Sequence, residues 1–264
     1  VASSTRQSRL VAEQELSKLG KVGLLTTSEL FAATNALLSS PQLRSALSDP
    51  SAQAAGKSKL VEAVFGSKLS KETVGLLGKM AQMRWSATRD LALTAEALGV
   101  RAAAAAASKD IDTVQAELFA VGQLVSSDPQ LELALSSTRA SVEAKMALVA
   151  KLLNNKATET TNILAGQAVH SRTFKRFAEV LEQYGMWIAE FAGESVANIR
   201  ASKELSEEQL TRLSAALTKV FGRELQLNVE IDQEIIGGLH ITVNGEVLDA
   251  TVLTKLQNAR LQLG

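Results

Sequence analysis

The chain has 264 residues, 46% hydrophobic and 21% charged, enough apolar material for two or three folded domains of about 100 residues each. Lys+Arg and Asp+Glu balance at 28 each, so no global field draws in nucleic acid or an anionic membrane. There is no cysteine, which excludes a disulfide framework, a thiolate zinc site and a cysteine nucleophile.

No apolar run reaches the roughly 20 residues that span a bilayer. Residues 1–9 are rich in Ser, Thr and Arg, with no apolar segment of signal type. The expectation is a cytosolic chain whose membrane tie, if any, runs through a partner. The missing initiator Met fits either its excision before Val1 or removal of a preceding segment.

Long stretches without proline, rich in Ala, Leu, Glu and Lys, favour helix from the start. Residues 6–19 and 28–38 carry helical apolar spacing, with Leu30, Ala33, Leu37 and Leu38 on one face. Ser40-Pro41 opens a short helix that ends near Leu47. Residues 57–65 read as another amphipathic helix, stopped by Gly66. Residues 70–85 read as a further one, and Ser70 has Thr73 three residues on, so it lacks a full capping box. From Asp90 a helix runs through Leu91, Ala95, Leu98 and the alanine run Ala102–Ala107. Its small side chains act as helix filler or as a seam for a close neighbour. Helices then follow over 112–125, 129–135, 142–153, 158–169 and 173–191.

These helices repeat. Glu29-Leu30-Phe31-Ala32 recurs as Glu117-Leu118-Phe119-Ala120, Pro41-Gln42-Leu43 as Pro129-Gln130-Leu131, and Ala46-Leu47-Ser48 as Ala134-Leu135-Ser136. Lys57 recurs as Lys145 and Leu60-Val61 as Leu148-Val149, all at one offset of 88 residues. A constant register over so many matches points to an internal duplication of one helical unit. Trp85 and Trp187 stand near equivalent helices, as core anchors or at the rim of a partner groove. The copies differ at expected surface positions, Arg44 against Glu132 and Ser45 against Leu133.

After Gly193 the pattern changes. Residues 195–201 form a short strand, and Ser206 with Gln209 opens a helix that reaches Gly222. Leu225, Leu227, Val229 and Ile231 then alternate with polar residues, the mark of a half-buried strand. Gly237-Gly238 breaks the next segment. Leu239, Ile241 and Val243 alternate up to Asn244-Gly245, a strong hairpin signal, and 246–248 return as its partner strand. Asp249 caps a closing helix carrying Val252, Leu253, Leu256, Ala259 and Leu261. The chain is therefore expected to be mainly α. Two tandem bundles of five to six helices, residues 1–88 and 89–192, precede a small β-α-β-β-α domain over 193–264.

No catalytic constellation stands out. His170 and His240 lie far apart without ligand partners at metal spacing. No phosphate loop, dinucleotide fingerprint or nucleophile elbow occurs. Glu230, Asp232 and Glu234 share the polar face of a strand. Aromatic residues do not interleave with Lys and Arg as a nucleic-acid platform requires.

The tail carries a recognisable order of motifs: Leu205-Ser206-Glu207-Glu208-Gln209-Leu210, Phe221-Gly222-Arg223-Glu224-Leu225, Val229-Glu230-Ile231-Asp232, Ile235-Ile236-Gly237-Gly238-Leu239 and Val247-Leu248-Asp249-Ala250-Thr251. Together they resemble the C-terminal signature of the delta subunit of bacterial F-type ATP synthases, whose mitochondrial counterpart is the oligomycin-sensitivity-conferring protein. Ala250 departs from a position where the family commonly has Gly. Leu131 to Leu153 resembles the family's Pro-x-Leu turn and the Lys-bearing helix that follows. The family has one helical domain where this chain has two. That is the expected form of the actinobacterial branch, in which some relatives are fused to a membrane-anchored b-type segment.

The resemblance implies a non-catalytic stator subunit without cofactor or metal, peripheral on the cytoplasmic face of the cell membrane. It implies helix-in-groove binding of alpha-subunit N-terminal helices between the first and fifth helices of the helical domain, and b-subunit binding by the C-terminal part. Carried onto the second copy, the groove falls on Leu91, Leu98 and Ala102 of its first helix and Ile163 and Leu164 of its fifth. The alternative is a free-standing helical scaffold outside the synthase.

Overall fold

The structure, a computed structural model, describes residues 3–154, 156–171, 176–194, 196–201, 203–221, 225–231, 239–243 and 246–249. The Ile235–Gly238 motif, the Asn244-Gly245 turn and the closing helix beyond Asp249 lie outside them. The described residues form a mainly α chain that divides into two compact units, Val1–Ala189 and Glu190–Gly264.

The first unit is built from α1 (Ser3–Ser17), α2 (Leu24–Ser39), α3 (Pro41–Ser48), α4 (Ala54–Phe65), α5 (Lys71–Gln82), α6 (Asp90–Ala106), α7 (Ile111–Ser127), α8 (Pro129–Ser136), α9 (Val142–Leu153), α10 (Glu159–His170) and the part of α11 (Phe177–Glu194) up to Ala189. Shifted by 88 residues, the bounds of α3, α4 and α5 become those of α8, α9 and α10. The same shift carries α1 onto α6 and α6 onto α11 to within one residue at each end. The duplicated unit is thus six helices, and α6 serves both as the sixth helix of the first copy and as the first helix of the second. This explains why α6 buries twelve of its seventeen residues. A helix with neighbours on all sides has to be apolar or small all round, and the alanine run supplies that.

Start signals repeat with the helices. Pro41 and Pro129 occupy the first turns of α3 and α8, where a missing N–H costs nothing. Ser40 and Asp128 before them accept from the free amides of Leu43, and of Gln130 and Leu131. Core positions repeat as well. Leu30 and Leu118, Leu47 and Leu135, Val61 and Val149, Leu76 and Leu164 are all buried. Trp85 is buried and donates its indole N–H to the carbonyl oxygen of Met80 at 2.9 Å, an anchor in the core of the first copy.

The second unit holds β1 (Val196–Ala201), α12 (Glu207–Phe221), β2 (Gln226–Ile231), β3 (Leu239–Val243) and β4 (Glu246–Asp249). They make a four-stranded sheet in the order β2-β1-β3-β4. β1 runs parallel to β2, with Ile199 opposite Val229, as a strand-helix-strand crossover requires. β3 pairs antiparallel with β1 and with β4, Ile241 lying between Ile199 and Leu248. Ala197, Ile199, Ile241 and Val243 pack with Leu213 and Leu217 of α12 and with Leu225. The capping box at the start of α12 is complete: Ser206 accepts from the Gln209 amide, and Gln209 accepts from the Ser206 amide. One inward expectation is corrected. Ile231 is 58% exposed, because it ends an edge strand.

Candidate functional site

Polar chemistry in the helical unit is structural and duplicated. The Glu29 carboxylate of α2 accepts from the Ser70 amide at 2.7 Å and the Ser70 hydroxyl at 2.6 Å, and also from the Thr73 hydroxyl. One copy later Glu117 of α7 accepts from the Thr158 amide at 3.0 Å and the Thr158 hydroxyl at 2.7 Å. Each carboxylate closes the N-terminus of the fifth helix of its copy. It supplies from another helix the partner that Ser70 lacks locally, and sequence pattern alone could have flagged it only as a repeated Glu. Burial alone would raise both carboxyls. The hydroxyl and amide hydrogen bonds outweigh it and hold them below the usual range.

A further carboxylate, fully buried, ties α6 to α11. Tyr184 of α11 donates its hydroxyl to Glu96 of α6 at 2.6 Å, both side chains being fully buried. Their positions are equivalent, 88 residues apart. Burial pushes the Tyr184 hydroxyl up, and Glu96 pushes it further, so it remains a donor.

The residues expected to form a helix-binding groove are placed as follows. Leu91, Leu98 and Ala102 are buried in the core of the first copy. Leu164 is buried and Ile163 half-buried on α10. α2 of the same chain packs on both α6 and α10. Phe31 of α2 lies so close to Gly99 that a Cβ there would come within 2.4 Å of its ring. Asn35 and Gln167 exchange two side-chain hydrogen bonds of 3.1 Å. The counterpart of Leu98 in the first copy is Leu10 on α1, which is 48% exposed. Of the tail motif, Leu239 is half-buried in β3 and Asp249 ends β4.

Two clefts flank the second copy. One, of about 890 Å³, runs between α7, α8 and α11 over Leu118 and Leu181, with Phe119 and Leu133 on its walls. The other, of about 1100 Å³, lies between α2, α8, α9 and α10 and carries Lys145, His170 and Arg176. Burial lowers the Lys145 amine there, as it lowers that of its counterpart Lys57. Burial also lowers His170, with Glu143 acting against it. His240 is exposed in β3. Among the described residues no group of His, Cys, Asp or Glu has the geometry of a metal site. No helix among them is long and apolar enough to cross a membrane. The geometry is that of helix-on-helix seams.

The family model described as ATP synthase delta (OSCP) subunit matches residues 95–263. The chain belongs to the ATP synthase delta (OSCP) family. Among the curated relatives it is similar to the ATP synthase subunit delta of Leifsonia xyli subsp. xyli, 39% identical over 264 residues, covering 100% of this chain and 99% of the relative. That of Beutenbergia cavernae is 37% identical over 253 residues, 95% of this chain and 93% of the relative. That of Thermobifida fusca is 36% identical over 237 residues, 89% and 88%. The delta family model begins inside α6, the helix that opens the second copy. Residues before 95 lie outside the match to the family model and inside the alignments with the relatives that cover nearly the whole chain.

Proposed function

We propose that this delta-family chain is a peripheral-stalk subunit of an F-type ATP synthase. It joins the catalytic alpha/beta head to the b-type stalk at the cytoplasmic face of the membrane, so that the head resists rotor torque during proton-driven ATP synthesis. It performs no chemistry of its own. The observation that carries this reading is kinship over nearly the full length with relatives named ATP synthase subunit delta. The C-terminal part, residues 193–264, takes the b-type partner, and the two helical copies, residues 1–88 and 89–192, face the head.

A torque-resistant joint calls for broad helix-in-groove contacts. In this reading an alpha N-terminal helix docks between the first and fifth helices of a copy. In the second copy Leu91, Leu98, Ala102 and Leu164 shape that seam from within, and Ile163 is the member with free surface. The first copy offers the equivalent edge between α1 and α5 through Leu10, which no helix of the chain covers to the extent that Leu98 is covered.

Titration of the full chain onto a synthase head stripped of its own delta subunit tests the reading. Tight binding is expected, and Leu10→Asp weakens it by about tenfold, as loss of an interface anchor does. A wild-type chain that ignores the head would instead favour a free-standing scaffold.

A further inference from the structure

We propose that the groove between α7 and α11 is a second docking site, one that takes an amphipathic helix with an apolar stripe flanked by Lys or Arg, carried by another subunit of the same assembly. The proposal rests on the stator reading above and adds a surface and a partner chemistry to it.

The duplication allows the groove to be compared with its own counterpart. In the first copy the seam between the second and sixth helices, α2 and α6, is closed. Phe31 is 4% exposed and lies on Gly99. In the second copy the position of Gly99 is Trp187, stacked on Tyr184 at 5.8 Å between ring centroids. The Arg9 guanidinium of α1 lies 6.0 Å from the centroid of that indole, which does not line the groove. Phe119, the counterpart of Phe31, is left 69% exposed on the wall of the groove. Leu133, where the first copy has Ser45, is 72% exposed beside it. The floor, Leu118 and Leu181, stays apolar and buried.

The chain also shows what covers such a seam. In the first copy a helix, α10, packs on α2 and α6, with Gln167 paired to Asn35. The counterpart of Asn35 is Gln123, exposed on the wall of the open groove. Gly122 and Gly185 also line the groove, and nothing lies within 4 Å of a Cβ built on either. Thr34 and Ala97 stand at those positions in the first copy. Glycine weakens a helix interior, and here it clears the approach for a neighbouring backbone.

Charge selects the occupant. Among the described residues, Glu132, Glu179 and Glu182 line the groove against Arg176 alone. The first copy has Arg44, Leu91 and Thr94 at the positions of the three acids. Glu132 accepts from the Phe177 amide at 3.0 Å, and the Glu179 and Glu182 side chains are exposed. An acidic rim around an apolar floor favours a basic amphipathic helix and rejects an acidic one.

The test uses the full chain and a synthase head stripped of its delta subunit. Wild type, Phe119→Asp and the double variant Glu179→Lys/Glu182→Lys are titrated, with a synthetic Leu/Lys amphipathic helix as competitor. All substituted side chains are exposed, and melting curves check that the variants fold. Both variants are expected to bind about tenfold more weakly or worse, and the Leu/Lys peptide to compete where a Leu/Glu peptide of the same pattern does not. Wild-type affinity in both variants overturns the groove and leaves the stator reading standing. A wild-type chain that fails to bind the head overturns both.

Discussion

Glu29 and Glu117 are the clearest case of one residue deciding a local structure. Each sits on the second helix of its copy and reaches the first turn of the fifth, where it accepts from a backbone amide and a hydroxyl. Removing either carboxylate leaves a half-closed helix terminus and orphaned donors, a loss of about 1–3 kcal/mol. Glu29→Ala and Glu117→Ala should each lower the melting temperature at neutral pH. The pH dependence has a definite sign. Both carboxyls titrate below their ordinary value in the folded chain, so the folded state binds fewer protons than the unfolded state at acid pH. Their stabilisation is complete above an unfolded glutamate pKa of about 4.3 and is lost as pH falls through the lower folded values. Denaturant melts from pH 7 to pH 3 should show the variants converging on wild type at the acid end. A constant gap across that range would show that the carboxylate charge is not what holds the clamp.

At the scale of helices, one position separates the two copies. Gly99 admits the Phe31 ring at a distance no Cβ tolerates. Gly99→Ala should therefore destabilise by about 1–3 kcal/mol through overpacking. Gly185 lines open space, so Gly185→Ala should stabilise by roughly 0.4–1 kcal/mol by restricting the unfolded chain. Paired thermal melts of the two variants check the contrast, and equal effects would mean that the α2–α6 and α7–α11 seams are packed alike. The order of the described elements, the helix starts at Pro41 and Pro129 and the register of the repeat were all legible in the sequence, because apolar spacing and capping residues are local signals that survive duplication. The state of each seam was not. Phe31 and Phe119 stand in the same Glu-Leu-Phe-Ala motif with opposite burial, and the glycine that admits the Phe31 ring, Gly99, is 68 positions away and is Trp187 in the second copy. The same limit applies to Leu98 and Ala102. Their apolar spacing marked a helix face, but not that the chain's own core would cover it.

At the scale of the whole helical unit, the shared α6 is what joins two copies into one body. A tandem linked by a flexible connector would let each copy turn independently, whereas a helix common to both transmits a tilt of one to the other. Leu98 tests this, because it lies on α6 in the core of the first copy, while Glu96 two residues earlier ties the same helix to α11 of the second. Leu98→Ala should cost about 2–5 kcal/mol as a buried truncation. If α6 couples the copies, amide exchange should speed up to a similar degree in α4 and in α9, helices that belong to different copies, since both depend on the same element staying folded. Loss of protection confined to α1–α5 would mean that the second copy holds α6 without help from the first, and the unit would then be two bundles in series. Joint loss would mean that load applied at the α1–α5 edge reaches the α7–α11 groove through one continuous helix. The stator role proposed above would draw on that property, and a second copy hung on a loop would not provide it.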